Sequence, residues 1–132
     1  MSTDTFSNLL TQLRNALDKG QKTVFLPKTK YSQRLVEILF QECLIDHFEE
    51  VCKEGTADVF LQVALKYKGK KPVFSNLKRI SKPGLRVYTR HKDITKVFNG
   101  IGITLISTSK GIMTDKNASK LGLGGELLCS IW

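Results

Sequence analysis

The feature that most constrains how this chain can fold is a change of texture near its midpoint. Before residue 66, apolar residues recur at helical or alternating spacing. Beyond Pro72, seven of the ten glycines fall between Gly84 and Gly125, dividing the apolar residues into short runs at Leu85–Tyr88, Ile101–Ile106 and Leu127–Trp132. Such runs between glycines are too short for long helices and read as short strands joined by tight turns. No single regular architecture satisfies both halves. An α+β fold of two small lobes is therefore expected, an N-terminal α/β lobe over residues 1–68 and a mostly β lobe over 73–132, separated by the charged run KYKGKKP, Lys66 to Pro72. The length of 132 residues suits that organisation.

In the first half Phe6, Leu9, Leu10, Leu13 and Leu17 mark one helical face, with Ser2, Thr3 or Asp4 to cap it and Gly20 to end it. Val24 to Leu26 before Pro27 reads as a short strand near an edge. Ser32 precedes a second helical pattern, Leu35, Val36, Leu39 and Phe40. His47–Val51 reads as a strand, and Val59, Leu61, Val63, Leu65 and Tyr67 alternate as a half-buried strand does. The order is thus α-β-α-β-β, with both helices on one face of a small sheet. In the second half one short helix is expected, capped by Thr114 or Asp115 and stopped at Gly122, and Ile94, Val97 and Phe98 can form another helical turn.

Charge follows the same division. Residues 1–65 hold 7 basic and 9 acidic groups, a net of −2, whereas residues 66–132 hold 14 and 3, a net of +11. From Val59 to Lys92 there is no carboxylate. So one-sided a surface fits a phosphate-rich polymer, although charge alone does not separate nucleic acid from an anionic membrane or a solvated basic face. No run approaches the roughly 20 apolar residues of a membrane span, so no membrane partner is expected. Three widely spaced cysteines, Cys43, Cys52 and Cys129, form neither a CxxC pair nor a disulfide framework and fit a reducing compartment. The N-terminus shows neither a signal-peptide run nor an Arg-rich transit segment.

Enzyme chemistry finds little support. There is no GxxxxGK[ST] loop, and the GIG at Gly100–Gly102 lacks a third glycine and precedes a strand. The two histidines, His47 and His91, form no recognisable nucleophile–base or zinc-ligand pattern with a cysteine, so no metal, cofactor or small-molecule substrate is expected. Cys129 reads as core, and the Asn117-Ala118-Ser119 sequon lacks a secretory context.

The richest segment is GIGITLISTSKGIMTDKNASKLGLGG, residues 100–125. A buried strand there runs into Ser107, Thr108, Ser109, Lys110 and Gly111. Three hydroxyls, an ammonium and a permissive glycine emerge together at the end of a rigid element, able to read irregular RNA or simply to close a polar hairpin. Lys78, Arg79 and Lys82 flank Ile80 in an extended run, partly share a face and suit sequence-independent phosphate contact.

The stretch IGITLISTSKGIMTDKNASKLGLGGELLCSIW, together with LKRISKPGLRVYTR and the N-terminal Asp4, Leu10, Thr11, Leu13, Arg14, Asn15 and Ala16, resembles the bacterial-type ribosomal protein S-eight family over almost the whole chain. The resemblance implies a structural constituent of the small ribosomal subunit without catalytic activity. Its partners would be the central domain of small-subunit ribosomal RNA and neighbouring ribosomal proteins. It implies that Ser107, Thr108, Ser109, Lys110 and Gly111 form the main RNA-facing loop. Tyr88, beside Arg86 and Arg90, matches the family's aromatic; it can stack on a base or ribose, or belong to the core. Glu126 after Gly124-Gly125 can orient the serine loop or pair with a lysine. Arg14 can touch RNA or answer the first helix's dipole. Gln12, Asn117 and Ser119 depart from the family's more charged pattern. The ending GELLCSIW and the absence of a transit segment are similar to plastid-encoded members, with a bacterial cytoplasm as the alternative. A role off the ribosome, as a repressor of its own messenger RNA, would add to this function and not replace it.

Overall fold

A computed structural model describes residues 3–132 except 53, 56, 75, 83 and 94–101, with side chains from Phe6 onward. It forms two compact units, Thr5–Ser75 and Asn76–Trp132, the first residues of α1, Thr3 and Asp4, grouping with the second. The N-terminal unit runs α1 (Thr3–Asp18), β1 (Thr23–Pro27), α2 (Lys30–Gln41), β2 (Ile45–Cys52) and β3 (Val59–Leu65), followed by a small hairpin of β4 (Tyr67–Lys68) and β5 (Lys71–Pro72). The KYKGKKP run, read from sequence as a break, is therefore folded. Its two-residue strands are too short to show a period.

The three longer strands form an antiparallel sheet in the order β1-β3-β2. Val24 pairs with Val63 and Leu26 with Leu61, which places these four on one buried face, while Phe25 between them is exposed. Phe6, Leu10 and Leu13 of α1 and Leu35, Ile38 and Leu39 of α2 are all essentially inaccessible. Burial of such side chains, about 1.5–3 kcal/mol each, is what fixes the marginal propensity of isolated helices into stable ones.

Helix α2 begins earlier than its apolar pattern suggests. Thr29 is the N-cap and accepts from the Ser32 amide (3.1 Å), while the Ser32 hydroxyl accepts from the Thr29 amide (2.7 Å). Ser32 is thus the reciprocal member of a capping box and lies inside the helix, in the place usually held by Glu or Gln. Helix α1 continues to Asp18, and Arg14 stands just before its last turn, which itself holds no basic residue. The capping assigned to Ser2, Thr3 or Asp4, and the helical turn around Ile94, Val97 and Phe98, lie outside the described residues or side chains.

The C-terminal unit contains β6 (Leu77–Arg79), β7 (Tyr88–Thr89), a 3-10 turn (His91–Asp93), β8 (Ile103–Thr108), β9 (Gly111–Thr114), α3 (Asp115–Leu121) and β10 (Gly125–Ile131). The sheet order is β6-β10-β8-β9, and β7 also pairs with β10. Strand β10 is therefore the hub. Its register against β8 shifts between Leu127 and Cys129, a bulge that reverses which side chains face which way. Ile106, Met113, Ala118 and Leu127 form a buried cluster joined by Ile80, Val87 and Leu123. Leu105, Cys129 and Ile131 are buried as well. Thr114 caps α3 by accepting from the Asn117 amide (3.3 Å), and Gly122 ends it at φ 68°, where a side chain would be strained.

A candidate RNA-binding face

Strands β8 and β9 meet in a two-residue hairpin. Thr108 pairs with Gly111, leaving Ser109 and Lys110 at the exposed tip. Gly111 adopts φ 106°, which L-residues rarely reach. The Thr108 hydroxyl donates to the Gly111 carbonyl (2.8 Å) and accepts from the Lys110 amide (3.2 Å). Of the three hydroxyls, that of Thr108 is thus used to hold the turn. Those of Ser107 and Ser109 make no hydrogen bond among the described residues and face outward, half-buried and exposed respectively.

The loop is joined to the basic segment through β10. Glu126 stands opposite Ser107 on one side and opposite Tyr88 on the other. Directly opposed antiparallel residues have Cβ atoms about 4.5–5.5 Å apart, so Tyr88, Glu126 and Ser107 form one row on one face. Tyr88 is 65% exposed, which excludes the core alternative. Glu126 is paired with an arginine and not a lysine: Arg86 Nη1 lies 3.7 Å from Oε2. Its Oε1 is buried and has no hydrogen-bond partner among the described residues. The signal for the Arg86 partner is long-range and invisible to local spacing.

Two glycines permit this closeness. A Cβ on Gly125 would overlap the Ser107 carbonyl oxygen and lie 2.9 Å from its carbon, and one on Gly124 would come within 2.5 Å of the Thr89 carbonyl oxygen. Bare backbone at both positions lets β10 press against β8 and β7 at once.

The segment between β6 and β7 is held by Ser81, whose buried hydroxyl accepts from the Val87 amide (3.0 Å) and contacts the Val87 carbonyl (3.3 Å). Lys82 and Leu85 exchange backbone hydrogen bonds, closing the intervening turn. Arg86, Tyr88 and Arg90 are exposed along this ribbon, as are Lys78 and Lys82. Arg79 differs: it alternates with Lys78 in β6 and is half-buried, with Nη2 sealed off and unpartnered. It does not share the Lys78 face. Arg90 is only loosely tied to Asp93 (3.7 Å), and together with Tyr88 and Thr89 these residues line a shallow recess of about 370 Å³. Thr89 and Asp93 were not singled out by sequence; the Arg90–Asp93 spacing of three was the available signal. Arg14 lies in α1, in the other unit, half-buried.

Among the described residues no group of three His, Cys, Asp or Glu side chains is placed to hold a metal, and no helix is long and apolar enough to cross a membrane.

Residues 4–132 match the family model described as Ribosomal protein S8. The chain belongs to the ribosomal protein S8 family. It is 47% identical to the small ribosomal subunit protein uS8c of Physcomitrium patens over 134 residues, all of both chains. It is 50% identical to the uS8 protein of Clostridium acetobutylicum over 131 residues, 98% of each chain, and 47% identical to that of Gloeothece citriformis over 133 residues, 99% of this chain and 98% of the other. An S8-family chain is a structural protein of the small ribosomal subunit, not an enzyme. Plastid-type and bacterial relatives match this one about equally well.

Proposed function

We propose that this S8-family chain is a primary binder of small-subunit ribosomal RNA, docking its C-terminal face on an irregular helix of the central domain and so supporting subunit assembly. The observation that carries the reading is the shared row of Tyr88, Glu126 and Ser107 beside the rigid tip bearing Ser109 and Lys110. A ring for stacking and two outward hydroxyls on one stiff sheet rim suit unstacked bases and ribose 2′-hydroxyls, with Glu126 between them holding Arg86. Arg86, Arg90, Lys78 and Lys82 supply attraction and register. Gly124 and Gly125 set the spacing of the row, and Glu126 completes it. Neighbouring small-subunit proteins are the further partners. The ribosome is that of a plastid, a reading supported by the GELLCSIW segment, with a bacterial ribosome as the alternative.

Binding of Ser109→Ala to a central-domain transcript should fall about tenfold, as one lost hydrogen bond of roughly 1–1.5 kcal/mol implies, with binding to random RNA of equal length nearly unchanged. Lys78→Gln should weaken both and lower the salt slope by about one unit or less. Equal losses on both RNAs for Ser109→Ala would remove the loop as the reader of the site.

A further inference from the structure

The β4–β5 hairpin belongs to the N-terminal unit and is no part of the face described above. Lys68 and Lys71 stand directly opposite each other, with Gly69 and Lys70 as the two-residue turn. Gly69 takes φ 68°, the positive value that such turns require. Lys68, Lys70 and Lys71 are all exposed, and Lys66 is half-buried at the base. No ion pair among the described residues engages any of them.

The hairpin is also fixed in place. The Tyr67 hydroxyl donates to the Gln21 carbonyl, the Val73 amide donates to the Lys66 carbonyl (3.0 Å), and the Leu65 amide donates to the carbonyl of Lys22, itself an exposed lysine (2.8 Å). Like charges held opposite each other on paired strands repel, and nothing in the chain from Val59 to Lys92 is acidic enough to relieve them. A flexible linker would let these ammonium groups spread apart; this one holds them together. That arrangement is unfavourable alone and becomes favourable beside a polyanion.

We infer that the Lys68–Lys71 hairpin is a second RNA contact, a sequence-independent grip on the phosphate backbone made by the N-terminal unit. It rests on the reading of the chain as an RNA binder. Lysine ammonium groups are point charges without the planar fork of arginine, so the contact attracts and positions but does not read bases.

The test uses the full chain with Lys68→Gln, Lys70→Gln and Lys71→Gln combined, against a central-domain transcript and random RNA, titrated with salt from about 50 to 200 mM. Each lost phosphate contact removes about 0.7–0.9 from the slope of log affinity against log salt, so the triple variant should lose about two units, with affinity for both RNAs down on the order of tenfold or more. The corresponding triple Lys→Arg variant should keep slope and affinity. Unchanged slope in the Gln variant, with Ser109→Ala still selectively impaired, overturns the hairpin contact and leaves the C-terminal face intact. A loss confined to the cognate transcript also overturns it. So does normal binding of both RNAs combined with failure to enter the small subunit, which would assign the lysines to an acidic protein surface. If neither Ser109→Ala nor the Gln variant alters RNA binding, it is the proposed function itself that falls.

Discussion

Gly125→Val is expected to unfold the C-terminal unit at markedly lower temperature, with Tm reduced by on the order of 10 °C. The added side chain has nowhere to go. Its first carbon would overlap the Ser107 carbonyl oxygen, which is backbone and can yield only if β10 withdraws from β8. Overpacking in a close-packed interior costs about 1–3 kcal/mol, and the separation of a paired central strand adds to that. RNA affinity should fall with stability, because the same withdrawal displaces Ser107 from Tyr88 and Glu126. Gly20→Ala is the control. Gly20 also has a positive φ, 68°, but open space around it, so it should lose only about 1 kcal/mol. Thermal unfolding of the two variants decides the matter; a Gly125 variant as stable as the Gly20 variant would show that strand contact at Ser107 does not matter.

Ile106→Ala should be nearly as damaging. Ile106 is fully buried, sits between Leu127 and Met113 in the sheet register and anchors the strand that carries the serine loop. Removing its three outer carbons leaves a cavity beneath α3 and is expected to cost about 2–5 kcal/mol. Urea denaturation should report a lower midpoint with an unchanged m-value. Leu121→Ala on the neighbouring helix, where the side chain is 57% exposed, should change stability by no more than about 0.5 kcal/mol.

These contrasts mark where the chain can be read directly. Leu9, Leu10, Leu13 and Leu17 carry the period of α1, and Val59 to Leu65 the period of β3, because each pattern extends over several repeats. Ser32 misleads, since a hydroxyl near a helix start can be either the cap or its reciprocal partner, and only Thr29 three residues back distinguishes them. Tyr88 is ambiguous for a different reason: a two-residue strand has no period, so its outward orientation follows only from pairing with Glu126. The Glu126–Arg86 contact spans 40 residues of sequence and depends on β7 and β10 lying side by side. The Ser107–Gly111 loop was legible as a cluster of hydroxyls, but its division of labour was not. That Thr108 closes the turn while its neighbours face outward is a property of hairpin geometry. The lysines of β4 and β5 read as a charged break between the two halves, because charge density at a boundary looks the same whether the backbone is folded or not.

Cys129 gives the C-terminal unit a clock. Its thiol is wholly buried in β10, paired with Arg79 on one side and Leu105 on the other, and burial pushes its pKa far above the ordinary value. Since only a thiolate attacks alkylating agents, Cys129 is silent until the sheet opens, whereas Cys43 and Cys52 are exposed. A pulse of iodoacetamide followed by mass spectrometry should show two rapid additions and a third at the pace of opening; three rapid additions would contradict the burial. Added RNA should slow the third alone. The interval between the second label and the third then measures, in seconds or hours, how firmly docking locks the strand that everything else in the unit is hung upon.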